Sequence, residues 1–352
     1  MKITRPKFLP SVDSLCAALQ KQLAGRRFVL LTDEVVGEHC MPSLSSFINV
    51  CPPLDIIEVE SGESCKSAEV CFQLWSHLLE LEFSKKDVLI CLGGGAICDL
   101  GGFIAATYKR GIPCIFIPTT LLAMTDASVG GKNGIDIESV KNAIGTILQP
   151  EAILVYMGFC NTLPQNQYLS GMAEVIKHGI IEGGHLWELL NSLSPEAYLL
   201  DLTILKKSVD VKLGIVRRDV QEKSLRKILN FGHTIGHAIE SVAIESGQAI
   251  EHGIAVSVGM LVESHYSMSI GKLRTSDFNS IFNLIVKWCG HHYPDLPTWE
   301  KILPYIRNDK KVESKKNVLY LPIFLGCFEI FEVSVQDSMQ LSYNEMINSI
   351  RS

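Results

Sequence analysis

The sequence predicts an α/β fold in two parts, an N-terminal half built on a parallel sheet and a mainly α-helical C-terminal half. Three observations carry this expectation. Short β-rich runs alternate with helical patterns up to about residue 160. One of those runs passes directly into three glycines, Gly93-Gly94-Gly95. Beyond Leu163-Pro164 helical periodicity dominates, with short breaks, to about residue 310.

In order, RFVLLT (27–32) and LDIIEV (54–59) read as buried strands. Residues 66–81 set Val70, Leu74, Leu78 and Leu79 at helical spacing. DVLICL (87–92) is a strand, 99–108 a helix, and IPCIFIP (112–118) and AILVY (152–156) are further strands. Short links between such elements imply parallel neighbours with helices on both faces. In the second half the helical pattern breaks at Gly183-Gly184, Ser194-Pro195 and Gly271. VLYLPIFLGCFEIFEV (318–333) returns to strand residues and is expected to form a hairpin or small sheet on the helical domain. The domain boundary is expected near 155–160.

The 352 residues suffice for two domains, and 47% hydrophobic with 20% charged residues describes a soluble globular chain. A net charge of −6 argues against a general nucleic-acid surface but leaves room for a basic pocket. The 11 cysteines are odd in number and form no C-x-x-C pair, so reduced thiols in a cytosolic protein are expected. The N-terminus, MKITRP, has no apolar signal core, and the apolar runs at 113–118 and 153–157 fall far below the length of a membrane span. A chain without leader or anchor is the expectation.

The glycine turn at 93–95 lies between a strand and a helix, where a backbone can approach a pyrophosphate and the helix offers free amides. Cys98 holds the third position of G-x-G-x-x-G. Asp33, at the end of the first long strand, could accept ribose hydroxyls. The stretch 118–134, PTTLLAMTDASVGGKNG, reads as a ligand-facing loop rich in hydroxyls and glycine, with Lys141-Asn142 after it.

Residues 229–240, LNFGHTIGHAIE, place His233 and His237 four apart, on one face of a helix. Many such pairs only cap or solvate a helix, so further donors decide. Glu174 shares the semi-buried face of a predicted helix, where a carboxylate must be paired, protonated or metal-bound. His252 opens the apolar helix that follows. Glu174, His233 and His252 together would make a one-carboxylate, two-histidine site suited to zinc. Arg226 lies four residues before Asn230 and is expected to share its helix face, as a candidate for bidentate anion binding. Lys177, Lys212 and the pair Lys310-Lys311 are further cations spaced through this half.

Taken together, GGGAICDLGGFIAATYKRG (93–111), PTTLLAMTDASVGGKNG (118–134), KNAIG (141–145), TLP (162–164), GMAEVIKHG (171–179), LRKILNFGHTIGHAIE (225–240) and HGIAVSVGM (252–260) give the chain a resemblance to the 3-dehydroquinate synthase family over nearly its full length. The resemblance implies an NAD-binding Rossmann-like domain over 1–158 and a helical metal- and substrate-binding domain over 159–352. It also implies a divalent metal, zinc or cobalt, and a cytoplasmic homodimer with no nucleic-acid or membrane partner. The implied reaction is that of a carbon–oxygen lyase acting on a phosphorylated sugar acid. The implied metal ligands are Glu174, His233 and His252. The implied NAD contacts are Asp33, Glu63, Lys66, Gly94, Gly95, Asp99, Thr119, Thr120, Lys132, Lys141 and Thr162. Implied at the substrate are Asp126, Lys132, Asn142, Lys177, Lys212, Arg226, Asn230, His237, one of Lys310 and Lys311, and Arg110 at the phosphate, from the partner subunit in one arrangement. His233 is thereby given to the metal and His237 to the substrate phosphate.

The chain departs from the family pattern at Asn133, Ile254, Val35, Tyr156 and Asn166-Gln167, around the expected cofactor and metal surroundings. Three rival readings are another sugar-phosphate cyclase, a metal-dependent polyol or alcohol dehydrogenase, and a non-catalytic binding protein. Lys132, Asn142, Asn230 and His237 argue against the first, and the cations Lys177, Lys212 and Arg226 against the second. The presence of every expected ligand argues against the third.

Overall fold

The computed structural model describes residues 2–137, 140–194, 201–248, 250–308, 317–333 and 338–351. The chain divides into two compact units, Met1–Pro164 and Gln165–Ser352.

Unit 1 starts with the short strand β1 (Lys7–Phe8) and helix α1 (Val12–Leu23), whose N-terminus is closed by reciprocal hydrogen bonds between Ser11 and Ser14. There follow β2 (Phe28–Asp33), α2 (Glu34–His39), α3 (Ser45–Val50), β3 (Asp55–Val59), α4 (Ala68–Glu80), β4 (Val88–Gly93), α5 (Gly95–Thr107) and β5 (Cys114–Pro118). The unit closes with a hairpin, β6 (Lys132–Ile137) and β7 (Val140–Ile147), and with β8 (Ala152–Val155). Six strands form one sheet in the order β1-β8-β5-β4-β2-β3, and every pair in it is parallel. The strands β2, β4, β5 and β8 are buried along their whole length. That is why they read as unbroken apolar runs rather than alternating ones.

Two elements differ from expectation. The helix expected at 99–108 begins at Gly95, because the glycine turn is itself the helix start. Gly101 lies inside α5 and lets it press against the sheet: a Cβ there would stand 2.2 Å from Cys91 Sγ on β4. Cys98 holds the third glycine position of the motif, and it is Gly101, one turn further on, that lets the helix pack close to the sheet. The stretch expected as a loop is instead a π-helical turn at Ala123–Ala127 followed by the antiparallel β6–β7 hairpin.

Unit 2 contains α6 (Gln165–Glu182), α7 (His185–Ser192), α8 (Leu202–Arg218), α9 (His233–Glu245), α10 (His252–Ser269), α11 (Thr275–Cys289) and α12 (Trp299–Asn308). The hairpin of β9 (Asn317–Phe324) and β10 (Cys327–Val333) follows, then α13 (Ser338–Arg351). The expected tail hairpin is present and turns against α6: Gly326 N–H donates to Ile180 O at 3.0 Å. Gly183 (φ +67°) ends α6 where a Cβ would strike the Leu325-Gly326 backbone. Helix α10 is buried on all sides over Gly253–Ser267, which makes it the centre of the unit.

All eleven cysteines are free. Among the described residues, no helix is long and apolar enough to cross a membrane.

Candidate active site

In unit 1 the expected cofactor residues gather at the C-terminal ends of the strands. A Cβ at Gly94 would stand 3.2 Å from Thr120 Cγ2, and one at Gly95 3.2 Å from the Ala127 methyl, so glycine keeps this turn shallow. No side chain among the described residues caps α5, which leaves its N-terminal amides and dipole end to an anion. Asp33 is buried at the end of β2, and its Oδ1 accepts from Val36 N and Ser61 Oγ, each at 3.0 Å. Thr119 Oγ1, just past β5, is buried with no hydrogen-bond partner among the described residues. Thr120 Oγ1 accepts from Ala123 N at 3.1 Å, and Thr162 Oγ1 donates to Phe159 O at 3.3 Å.

Lys66 is the centre of the second group. Its side chain is 2% exposed, and its Nζ lies 3.0 Å from Asp99 Oδ2, 3.2 Å from Glu63 Oε2 and 3.9 Å from Asp136 Oδ1. It also donates to Asn142 Oδ1 at 2.8 Å. Burial pulls the Lys66 pKa down, but Asp99, Glu63 and Asp136 outweigh it and hold the ammonium above its usual range. Asn142, expected with the substrate residues, therefore has its side chain among the expected cofactor residues. It stands at φ +51°, with its N–H donating to Asp136 Oδ1 at 2.6 Å. Sequence reasoning missed Asp136. Its only signal was a carboxylate inside the strand-like GIDI (134–137). Burial raises the Asp136 pKa, against the Asn142 N–H and the Lys66 and Lys141 charges. Asp126 lies on the π-helical turn, Lys132 is exposed at the start of β6, and Arg110 is exposed at φ +63°.

In unit 2 four side chains converge. Glu174, on α6, is fully buried and paired with Lys177 one turn on. Its Oε1 stands 3.6 Å from His233 Nε2 and 3.8 Å from His252 Nε2. Both separations are too long for a hydrogen bond. They are close to the ~3.4 Å between two ligand atoms that share a tetrahedral zinc at about 2.1 Å each. Glu174 Oε1 has no hydrogen-bond partner among the described residues. Facing imidazole lone pairs beside an orphaned carboxylate oxygen are an arrangement that a cation completes. His237 belongs to the same cluster: each of His233, His237 and His252 offers a ligand atom within a 4.8 Å group. The ring centroids of His233 and His237 are 5.2 Å apart, and those of His233 and His252 5.3 Å.

The electrostatics keep this cluster ready for a metal. Burial, followed by the Lys177, His237 and His252 charges, pushes the His233 pKa well below its usual value. The ring is thus neutral, as ligation requires. His233 and His252 are each the first residue of a helix, where the positive dipole end also disfavours an imidazolium.

The expected helix over 229–240 starts only at His233. Residues Leu225–Asn230 form a 3-10 helix, and Gly232 (φ +79°) caps α9. At three residues per turn, positions four apart do not share a face. Arg226 is accordingly buried, donating from Nη1 to Val220 O at 2.9 Å, while Asn230 is exposed, donating to Glu222 Oε1 at 2.9 Å. Lys177 and Lys212 are both buried. Lys310 and Lys311 lie outside the described residues.

The family models for the 3-dehydroquinate synthase N-terminal and C-terminal regions match residues 56–170 and 171–312. A 3-dehydroquinate synthase from Pyrococcus furiosus is 36% identical over 92% of this chain and 93% of its own length. One from Streptococcus pyogenes is 35% identical over 88% of this chain and 86% of its own. Among solved structures, a 2-deoxy-scyllo-inosose synthase complexed with carbaglucose-6-phosphate, NAD+ and Co2+ superposes with TM-score 0.86, at 20% identity over 98% of this chain and 99% of that one. A 2-epi-5-epi-valiolone synthase from Streptomyces hygroscopicus with NAD+ and Zn2+ bound gives 0.85, at 23% identity over 100% and 97%. At these identities the two structures establish a shared fold.

Proposed function

The chain belongs to the 3-dehydroquinate synthase family, and on that premise we propose that it converts 3-deoxy-D-arabino-heptulosonate 7-phosphate to 3-dehydroquinate and phosphate. It would act as a carbon–oxygen lyase, in a cytoplasmic homodimer, on the route to aromatic amino acids. The observation that carries the reading is the convergence of Glu174 Oε1 with the Nε2 atoms of His233 and His252. Those three would hold a divalent metal, zinc or cobalt.

NAD would be held by Asp33, Glu63, Lys66, Gly94, Gly95, Asp99, Thr119, Thr120, Lys132, Lys141 and Thr162. The glycine turn would present the N-terminal amides of α5 to its pyrophosphate, and Thr119 Oγ1, buried with no hydrogen-bond partner among the described residues, would be a further donor. Asp33 Oδ1 is taken by Val36 and Ser61, so Oδ2 would meet the ribose hydroxyls. When bound, NAD+ supplies reversible oxidation at carbon 5, and the metal polarises the neighbouring substrate oxygens.

The chain's own residues bind and orient. The substrate carries a carboxylate and a phosphate, and two anions need fixed cations. Lys177, Lys212 and Arg226 are 1%, 6% and 3% exposed, so an anion bound beside them would meet charges that water screens little. Asp126, Lys132, Asn142, Asn230, His237, Arg110 and one of Lys310 and Lys311 would complete the substrate contacts. The fixed cations would hold the two anionic ends of the substrate in place while bound NAD supplied the transient redox chemistry that phosphate loss, ring opening and aldol closure require. The departing phosphate would take up the proton itself, which accounts for a site with more binders than acid–base groups.

The test is phosphate release from purified protein given NAD, zinc and the heptulosonate phosphate. Catalytic release without accumulation of NADH supports the reading. No release sinks it, and steady accumulation of NADH points to a polyol dehydrogenase. Glu174→Gln should lose metal content and turnover together.

A further inference from the structure

His252 is the first residue of α10, and its ring is held from another helix. Its Nδ1 lies 3.0 Å from Glu240 Oε2. Glu240 is 3% exposed, on α9, two turns beyond His233 and one beyond His237. We infer that Glu240 is a positioning residue for the metal centre: it accepts the Nδ1 proton of His252 and so commits Nε2 to ligation. The inference rests on the ligand set proposed above.

The chemistry leaves little freedom. An ionised carboxylate only accepts, so the proton of this hydrogen bond belongs to Nδ1. A neutral imidazole has one N–H, so Nε2 keeps its lone pair, and Nε2 is the atom that faces Glu174. His233 is fixed the same way by a backbone acceptor, with Nδ1 3.2 Å from Phe231 O. Of the two anchors only Glu240 is a carboxylate, and a carboxylate acceptor at Nδ1 makes the ring a better donor to a metal. The close approach of α9 and α10 brings Glu240 within reach. A Cβ at Gly236 would stand 2.9 Å from Val256 Cα, so only glycine lets α9 lie this near to the helix that starts at His252. The sequence hid this role, because Glu240 reads as the polar end of the motif HTIGHAIE.

The experiment compares Glu240→Leu with Glu240→Gln, reading zinc affinity by chelator competition and the visible absorption of the cobalt-loaded protein. Leu keeps the volume and removes the acceptor, whereas Gln keeps an amide oxygen. Leu is expected to weaken zinc binding about 10–100-fold and to change the cobalt spectrum, with Gln recovering most of the affinity. A residue that only packs would tolerate Leu as well as Gln, and equal affinity and spectra for the two overturn the inference. Unmodified, metal-free protein with labelled histidine gives a second reading that no folding defect can blur. Long-range proton–nitrogen spectra should show His252 protonated at Nδ1, and an Nε2-protonated ring overturns the assignment. His252→Ala separates the two levels: if it leaves zinc affinity unchanged, the ligand set fails. If it weakens zinc and Glu240→Leu does not, only the role of Glu240 fails.

Discussion

Gly259→Ala tests how the histidine cluster is built. Gly259 lies within α10, and in an ordinary helix the change to alanine stabilises by about 1 kcal/mol. Here the new Cβ would stand 1.9 Å from Gly232 O, 2.8 Å from Gly232 C and 3.0 Å from its Cα. All three are backbone atoms, so no side chain can swing aside, and α9 and α10 would have to part by about 1 Å. Gly232 O accepts the first helical hydrogen bond of α9, from Gly236 N at 3.0 Å, and Gly232 N donates to Glu263 Oε2 at 2.9 Å. Both bonds lie beside His233. Overpacking of a rigid core costs about 1–3 kcal/mol, and an unrelieved backbone collision belongs at the top of that range. Set against the ~1 kcal/mol propensity gain, the net loss is about 2 kcal/mol. Gly214→Ala is the control, since Gly214 sits in α8 with nothing within 4 Å of its Cβ, and it should gain about 1 kcal/mol. Urea unfolding of the two metal-free variants and zinc titration of each provide the readings. Gly259→Ala should unfold earlier and bind zinc more weakly, while Gly214→Ala unfolds later with zinc affinity unchanged. The reasoning is refuted if Gly259→Ala matches or exceeds the unmodified protein in both.

Two further perturbations address unit 1. Lys66→Met strands Asp99, Glu63 and Asp136 around an uncharged side chain. Because those carboxylates keep partial access to water, the expected loss is about 2–3 kcal/mol, with weaker NAD binding, read by thermal melts and by titration of the cofactor. The Lys66 pKa is raised on folding, so this contribution is present throughout neutral pH and is lost only as pH rises through the folded value. An unchanged melting temperature at pH 7 would contradict the ion-pair reading. Asp87 behaves in the opposite sense. Burial pushes its pKa up, but hydrogen bonds from Arg27 and Ser84 prevail and leave it below the ordinary carboxylate value. Its contribution is therefore present above the unfolded value of about 3.9 and fades as pH falls through the folded one. The stability gap between the unmodified protein and Asp87→Asn should stay constant at neutral pH and shrink in acid. A gap that widens on acidification would reverse the sign of the argument.

What was legible in the sequence follows burial. The parallel strands sit between helical layers, so each interior strand is an apolar run whose ends mark its limits: DVLICL became Val88–Gly93 and AILVY became Ala152–Val155. The β6–β7 hairpin has no such mark. Val140, Ile144 and Ile147 are exposed on it, so the apolar residues of β7 record no core face. Its pairing needs glycine, because a Cβ at Gly145 would lie 2.8 Å from Asn133 O, and glycine reads locally as loop. The 3-10 helix at Leu225–Asn230 was hidden for a different reason. LRKILN has helical spacing, but the Asp219 carboxylate accepts from the amides of Lys223, Ser224 and Arg226 and so fixes the entry to the turn. The histidines were legible as a pair because four-residue spacing is a local property. Their meeting with Glu174 and His252 depends on helices that touch at Gly232, Gly236 and Gly259, and no periodicity within one helix encodes how closely it approaches the next. In this site the ligands are a sequence motif and the distances between them are a packing result. Substitutions at the glycines should therefore disturb metal binding while every histidine remains in place.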